Sequence, residues 1–264
     1  MDRLHRELHR LYAPRLRGEP DARPGLPELV AADGRLRAIV LELARPADWD
    51  LLAVAWKGVQ TELELPPPAI AVNGRDAYQL WFSLAEPLPA DQALAFAEAL
   101  RRRYLAEVRV ERVGRMPWVD PALPQPVRHA AAVPAPQAGT GRWSAFVAPD
   151  LAPVFAAEPW LELPPNPEGQ ARLLAGLASI PVADFQRALA RLQPAVAPVQ
   201  EEAAACSPGP ADAAPVDLQA AAADAHRDPR RFLFDVMHDA RVPLALRIEA
   251  AKALLPGFTG PQRP

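Results

Sequence analysis

The chain has 264 residues, 50% of them hydrophobic but only 6% aromatic, with a formal net charge of −3 and 33 prolines against 13 glycines. That length suits one large domain or two small ones. The mild acidity excludes a global basic field, so nucleic-acid binding would need a local patch. The single cysteine, Cys206, excludes a disulfide scaffold and a multi-cysteine zinc site. There is no long apolar run, and the charged start "MDRLHRELHRLY" does not read as a signal peptide. A bacterial, cytoplasmic protein without membrane contact is the expectation.

Residues 1–34 read as an amphipathic helix followed by a proline-rich loop. Leu4, Leu8, Leu11 and Tyr12 fall on one helical face. His5 and His9 stand at i, i+4, a spacing that can hold a metal, but no third ligand is near, and a solvated face is the stronger reading. Residues 35–115 carry the clearest pattern. "LRAIVLEL" reads as a strand, and "PADWDLLAVAWKGVQTEL" as a helix with Asp48 as N-cap, ended by Pro66, Pro67 and Pro68. "AIAV" and "AYQLWFSL" read as two strands joined by the turn "NGRD". "PADQALAFAEALRRRYL" reads as a second helix, its arginines near the C-terminus where they favour the dipole, and "VRVERV" as a fourth strand.

The remaining stretches are less regular. Residues 116–142 read as a proline-rich linker and 143–193 as a small helical segment, with "PEGQARLLAGLASI" and "VADFQRALARL" as its helices. Trp143, Phe146, Phe155 and Trp160 fit its core better than a binding platform. "GTGR" at 139–142 lacks the Lys-Ser/Thr ending of a phosphate loop. Residues 194–222 read as a disordered Ala/Pro linker, and 223–264 as a C-terminal helical hairpin. His129, His226 and His238 are scattered, without metal-ligand spacing.

The order β-α-β-β-α-β predicts an α+β fold: a ferredoxin-like, RRM-like core with both helices on one face of a four-stranded antiparallel sheet. Side chains alternate along a strand. Leu41 and Leu43 therefore share one face, and Val40 and Glu42 the other. Likewise Tyr78, Leu80 and Phe82 oppose Gln79, Trp81 and Ser83. The apolar sets belong under the helices. That leaves Glu42, Gln79 and Trp81 on an open face, joined by Arg109 and Glu111, with Trp81 expected to be solvent-accessible.

On these residues the stretch 36–113 resembles the core of archaeo-eukaryotic-type primase-polymerases. Members of that superfamily have a strand with two acids, a later Ser-Gly-x-x-Gly-x-His turn leading into another strand, and a third acid further on. The acids hold metal for nucleotidyl transfer, and the histidine binds nucleotide phosphate. In "LELARP" Glu42 takes the place of the first acid and Ala44 that of the second. In "NGRDAYQLWF" Asn73 and Gly74 match the start of the turn, Ala77 replaces its second glycine and Gln79 its histidine. Glu111 is the candidate third acid. Two-metal chemistry needs clustered carboxylates, and Gln79 cannot supply the positive charge of a protonated histidine. The resemblance therefore implies a degenerate, non-catalytic module that binds single-stranded nucleic acid or a nucleotide through Asn73, Gly74, Arg75, Trp81 and Arg109. Glu42, Gln79 and Glu111 remain as vestigial site residues.

The tail "DPRRFLFDVMHDARVPLALRIEAAKALLPGF" resembles short C-terminal modules of phage DNA-packaging and mobile-element proteins, which implies a replication or mobile-element setting. Two alternatives stand beside the binding module. One is an adaptor that binds a protein partner through the C-terminal hairpin. The other is an active nucleotidyltransferase that would use magnesium or manganese at Glu42 and Glu111.

Overall fold

The computed structural model describes residues 2–14, 25–120, 122 and 126–192. The expected linker at 194–222 and hairpin at 223–264 lie outside the described residues, as does Cys206. The described part is of the α+β class, with α-helices packed on an antiparallel sheet.

Helix α1 (Arg3–Tyr12) starts on Asp2, whose carboxylate accepts from the His5 N–H, and buries Leu4, Leu8, Leu11 and Tyr12. The chain then forms β1 (Leu36–Ala44), α2 (Trp49–Thr61), β2 (Ala69–Val72), β3 (Ala77–Leu88) and α3 (Ala90–Tyr104). Asp48 caps α2 as the sequence predicts, accepting from the Leu51 N–H at 3.1 Å. Strands β4 (Val113–Met116) and β7 (Ala145–Val147) complete one sheet in the order β4-β1-β3-β2-β7, every pair antiparallel. A two-stranded ribbon, β5 (Trp118–Val119) with β6 (Val127–Arg128), lies beyond β4. Helices α4 (Pro167–Ala175) and α5 (Val182–Leu192) follow. Residues 143–193, expected to be helical, thus also supply a strand of the sheet.

The alternation read from the sequence sets the two faces. Leu41, Leu43, Tyr78, Leu80 and Phe82 pack with α2, α3 and α5 in the larger core. Val40, Trp81 and Phe146 pack on the other side with Leu4, Leu8, Leu11 and Tyr12 of α1 and Ala171 and Leu174 of α4. That second face was expected to be open. Instead Trp81 is only 2% exposed, with its ring 5.3 Å from Tyr12 and 5.9 Å from Phe146. The cause is the apolar stripe of α1, which needs a surface to bury and finds it on Trp81.

The fourth strand is also displaced from its expected place. "VRVERV" alternates like a strand, but Val110–Arg112 form a 3-10 turn and pairing with β1 begins at Leu43 opposite Val113. The backbone there closes locally: Val108 N–H donates to the Leu105 carbonyl and Arg112 N–H to that of Arg109. Those bonds carry the chain from the end of α3 round to the sheet. Arg109 and Glu111 therefore lie on this turn, exposed, and not on a strand beside Glu42.

At the other end of the sheet, the Gln170 side chain on α4 grips β7. Its Oε1 accepts from the Phe146 N–H at 2.8 Å, and its Nε2 donates to the Phe146 carbonyl at 2.9 Å.

Candidate functional site

Helices α1 and α4 cover only part of the second sheet face. At the end where β1 and β3 pair Glu42 with Gln79, the covering gives way to a cleft of about 390 Å³. Glu42, Asn73, Arg75, Gln79, Trp118 and His129 line it.

The floor is a chain of hydrogen bonds. The Trp81 Nε1–H donates to Gln79 Oε1 at 2.9 Å, and the Gln79 Nε2–H donates to Glu42 Oε2 at 2.7 Å. The buried indole, a donor only, thus fixes which way the Gln79 amide points, and the amide presents its NH₂ to the carboxylate. Burial pushes the Glu42 carboxyl above its ordinary value; the Gln79 amide opposes that rise, the nearby Asp76 charge adds to it, and Asn73 and Arg45 oppose it. Opposite Glu42 on β4 stands Gly114, where a Cβ would come within 3.1 Å of Glu42 Cβ and 3.3 Å of Oε1. The missing side chain leaves room for the carboxyl group.

The turn between β2 and β3 forms one wall. Asn73 Oδ1 accepts from the backbone N–H groups of Arg75, Asp76 and Ala77 at 2.8, 3.0 and 3.0 Å, an Asx-type turn. Gly74 has φ +81°, and a Cβ there would lie 2.6 Å from Gln137 Cγ and 2.8 Å from the Ser144 nitrogen. Backbone conformation and close packing both demand glycine at that position. Arg75 reaches across, its Nε–H donating to Gln137 Oε1 at 2.8 Å.

The segment 129–137 forms the opposite wall. His129 Nδ1 accepts from the Ala130 N–H at 2.8 Å, which assigns the proton to Nε2; that nitrogen then donates to the Ala38 carbonyl at 2.9 Å. Desolvation lowers its pKa to about 4, against a weaker opposing pull from the Ala38 carbonyl. The ring is neutral at pH 7 and brings no positive charge to the cleft.

The structure thus brings together Glu42, Gln79, Asn73 and Arg75, with Gly74 shaping their turn. Trp81 lies beneath them as a buried support. Arg109 and Glu111 do not line the cleft; the Glu111 carbonyl accepts from Arg45 Nη2. Among the described residues no group of three or more His, Cys, Asp or Glu side chains is placed to hold a metal ion. His5 contacts Asp2, while His9 reaches the Gly25 carbonyl. Sequence reasoning missed Trp118, His129 and Gln137, which all fall in the stretch expected to be a linker. Trp118 in "MPWVD" was a visible signal, since a large aromatic is an unusual choice for a linker. Among the described residues no helix is long and apolar enough to cross a membrane. Neither a protein-family model nor a curated protein sequence matches the chain.

Proposed function

We propose that residues 36–116 form a ferredoxin-like, primase-like unit that does not carry out nucleotidyl transfer and binds a nucleotide in the cleft. The observation that carries this reading is the gathering of Glu42, Asn73, Arg75 and Gln79 in one cleft. These are the positions that the resemblance assigns to the first acid, the turn and the phosphate-binding histidine. The antiparallel order β4-β1-β3-β2 is the order expected of the split unit.

The chemistry favours binding over catalysis. Ala44 cannot ligate a metal, and Glu111 lies on the 3-10 turn outside the cleft lining. Asp76 on the turn is the second carboxylate lining the cleft, but among the described residues the pair gains no third metal-ligating side chain, short of the clustered acids that a two-metal centre needs. The geometry also favours a nucleotide over a strand laid across the sheet, because α1 and α4 occupy the surface on which successive bases would stack.

The test is a titration of the full chain with nucleoside monophosphates and with a short single-stranded oligonucleotide, followed by NMR. Mononucleotides should shift the resonances of Asn73, Arg75 and Gln79, and Arg75→Ala should weaken the effect. An absence of shifts at millimolar nucleotide would refute the reading. Metal-dependent incorporation into a primer, abolished by Glu42→Ala, would refute the loss of catalysis.

A further inference from the structure

The polar groups around the cleft are unevenly committed. The Gln79 carbonyl oxygen is taken by Trp81, and the Asn73 carbonyl oxygen by three backbone N–H groups. Glu42 accepts at Oε2 from Gln79 and also meets the Asn73 side chain, whereas an ionised carboxylate offers roughly four acceptor positions. Its Oε1 lies beside Gly114, which has no side chain of its own, with the Met116 methyl bordering the same space. The floor is therefore an acceptor. Across the cleft, Arg75 has its Nε–H engaged with Gln137 and brings further guanidinium donors. Trp118 lines the same cleft and is nevertheless 45% exposed, on a short ribbon where it pairs with Arg128. A large aromatic left at the mouth of a polar cleft gives a planar ligand a face to stack on.

We infer that the cleft selects guanine, with Trp118 as the stacking wall and the Glu42 carboxylate as the acceptor for the base edge; this rests on the nucleotide reading above. Guanine N1–H and N2–H are adjacent donors that fit the two oxygens of a carboxylate, and O6 beside them is an acceptor for Arg75. Adenine and cytosine each present a ring-nitrogen acceptor next to their amino donor, which a carboxylate repels. Uracil flanks its single N–H with carbonyl oxygens. The cleft volume of about 390 Å³ falls in the range of roughly 300–1,000 Å³ usual for small-molecule sites.

Calorimetric titration of the full chain with GMP, IMP, AMP, CMP and UMP at one ionic strength tests this. GMP should bind about tenfold or more tighter than AMP, CMP or UMP, the discrimination expected of one good bidentate contact to a base. IMP, which lacks the N2 amino group, should fall between, a comparison that needs no variant. Glu42→Gln should erase the preference, and Trp118→Ala should weaken all five about fivefold or more through lost stacking. Equal affinities, a GMP preference that survives Glu42→Gln, or binding indifferent to Trp118→Ala would overturn the inference while leaving a nucleotide site in place. If none of the five binds at millimolar concentration, the nucleotide reading falls and this inference falls with it.

Discussion

Replacing Trp81 with phenylalanine tests whether this residue supports the cleft from below or presents a surface. The indole is 2% exposed, and its Nε1–H is the donor that holds Gln79 Oε1. Phenylalanine keeps a ring between Tyr12 and Phe146 but removes the donor. Gln79 is itself 5% exposed, so its oxygen is left without a partner in a buried place, at a cost of about 1–3 kcal/mol. The smaller ring leaves a void that adds roughly 1 kcal/mol. The sum, about 2–4 kcal/mol, should lower the urea midpoint by roughly 1–2 M for a denaturant slope near 2 kcal/mol per molar. Urea unfolding followed by circular dichroism measures it. Freed from the indole, the Gln79 amide can also turn away from Glu42, so the Glu42 carboxyl should titrate higher still, as read by carbon-13 NMR. A stability change within about 0.5 kcal/mol, the usual range for a surface substitution, would refute the buried-support account.

Two further predictions concern pH. His129 titrates near 4 in the folded protein against an ordinary 6.5, so its stabilising contribution is complete above pH 6.5 and is lost as the pH falls through that interval. The contribution is at most about 3 kcal/mol and is reduced by the partial exposure of the ring to the cleft; His129→Gln should flatten the fall in stability between pH 6.5 and 4. Glu98 on α3 accepts from Arg101 and Arg102 and pairs with Arg115 on β4, and these bonds hold its carboxyl down at about 2, against an ordinary 4.5. Its contribution is present above pH 4.5 and disappears as the pH falls toward 2. Glu98→Ala should cost about 1–2 kcal/mol in melting experiments at pH 7 and almost nothing near pH 2, whereas removal of the exposed Arg102 should change stability by less than about 0.5 kcal/mol.

Strand parity was legible because it is a local rule. Leu41 and Leu43 against Val40 and Glu42, and Tyr78 and Phe82 against Trp81, could be sorted without knowing what lay on either side. The occupant of each side was not legible, since Trp81 meets Tyr12 from one end of the described chain and Phe146 from a stretch far along it, in a core shared with Leu11 and Leu174. The apolar stripe of α1 announced a need for a partner but not its address. "VRVERV" misled for a different reason: alternating valines and charges suit a strand, and the local hydrogen bonds that made a turn leave no mark in that pattern. The cleft was half visible. Glu42, Asn73, Arg75 and Gln79 stand on adjacent strands and their turn, whereas Trp118, His129 and Gln137 arrive on a proline-rich stretch whose composition gives no periodicity to read.

The grip of Gln170 on Phe146 also bears on how other molecules can approach. A strand at the margin of a sheet ordinarily offers its peptide groups to any extended chain that passes. On β7 the outward N–H and carbonyl of Phe146 are already satisfied by a side-chain amide, which plays the part of one peptide unit of a missing neighbour. An incoming strand, whether a peptide or a second copy of this protein, would have to displace Gln170 and so disturb α4, which packs on α1, the helix whose Tyr12 lies against Trp81. Recruitment along that margin is thereby coupled to the packing beneath the cleft, and it is opposed for as long as α4 stays in place.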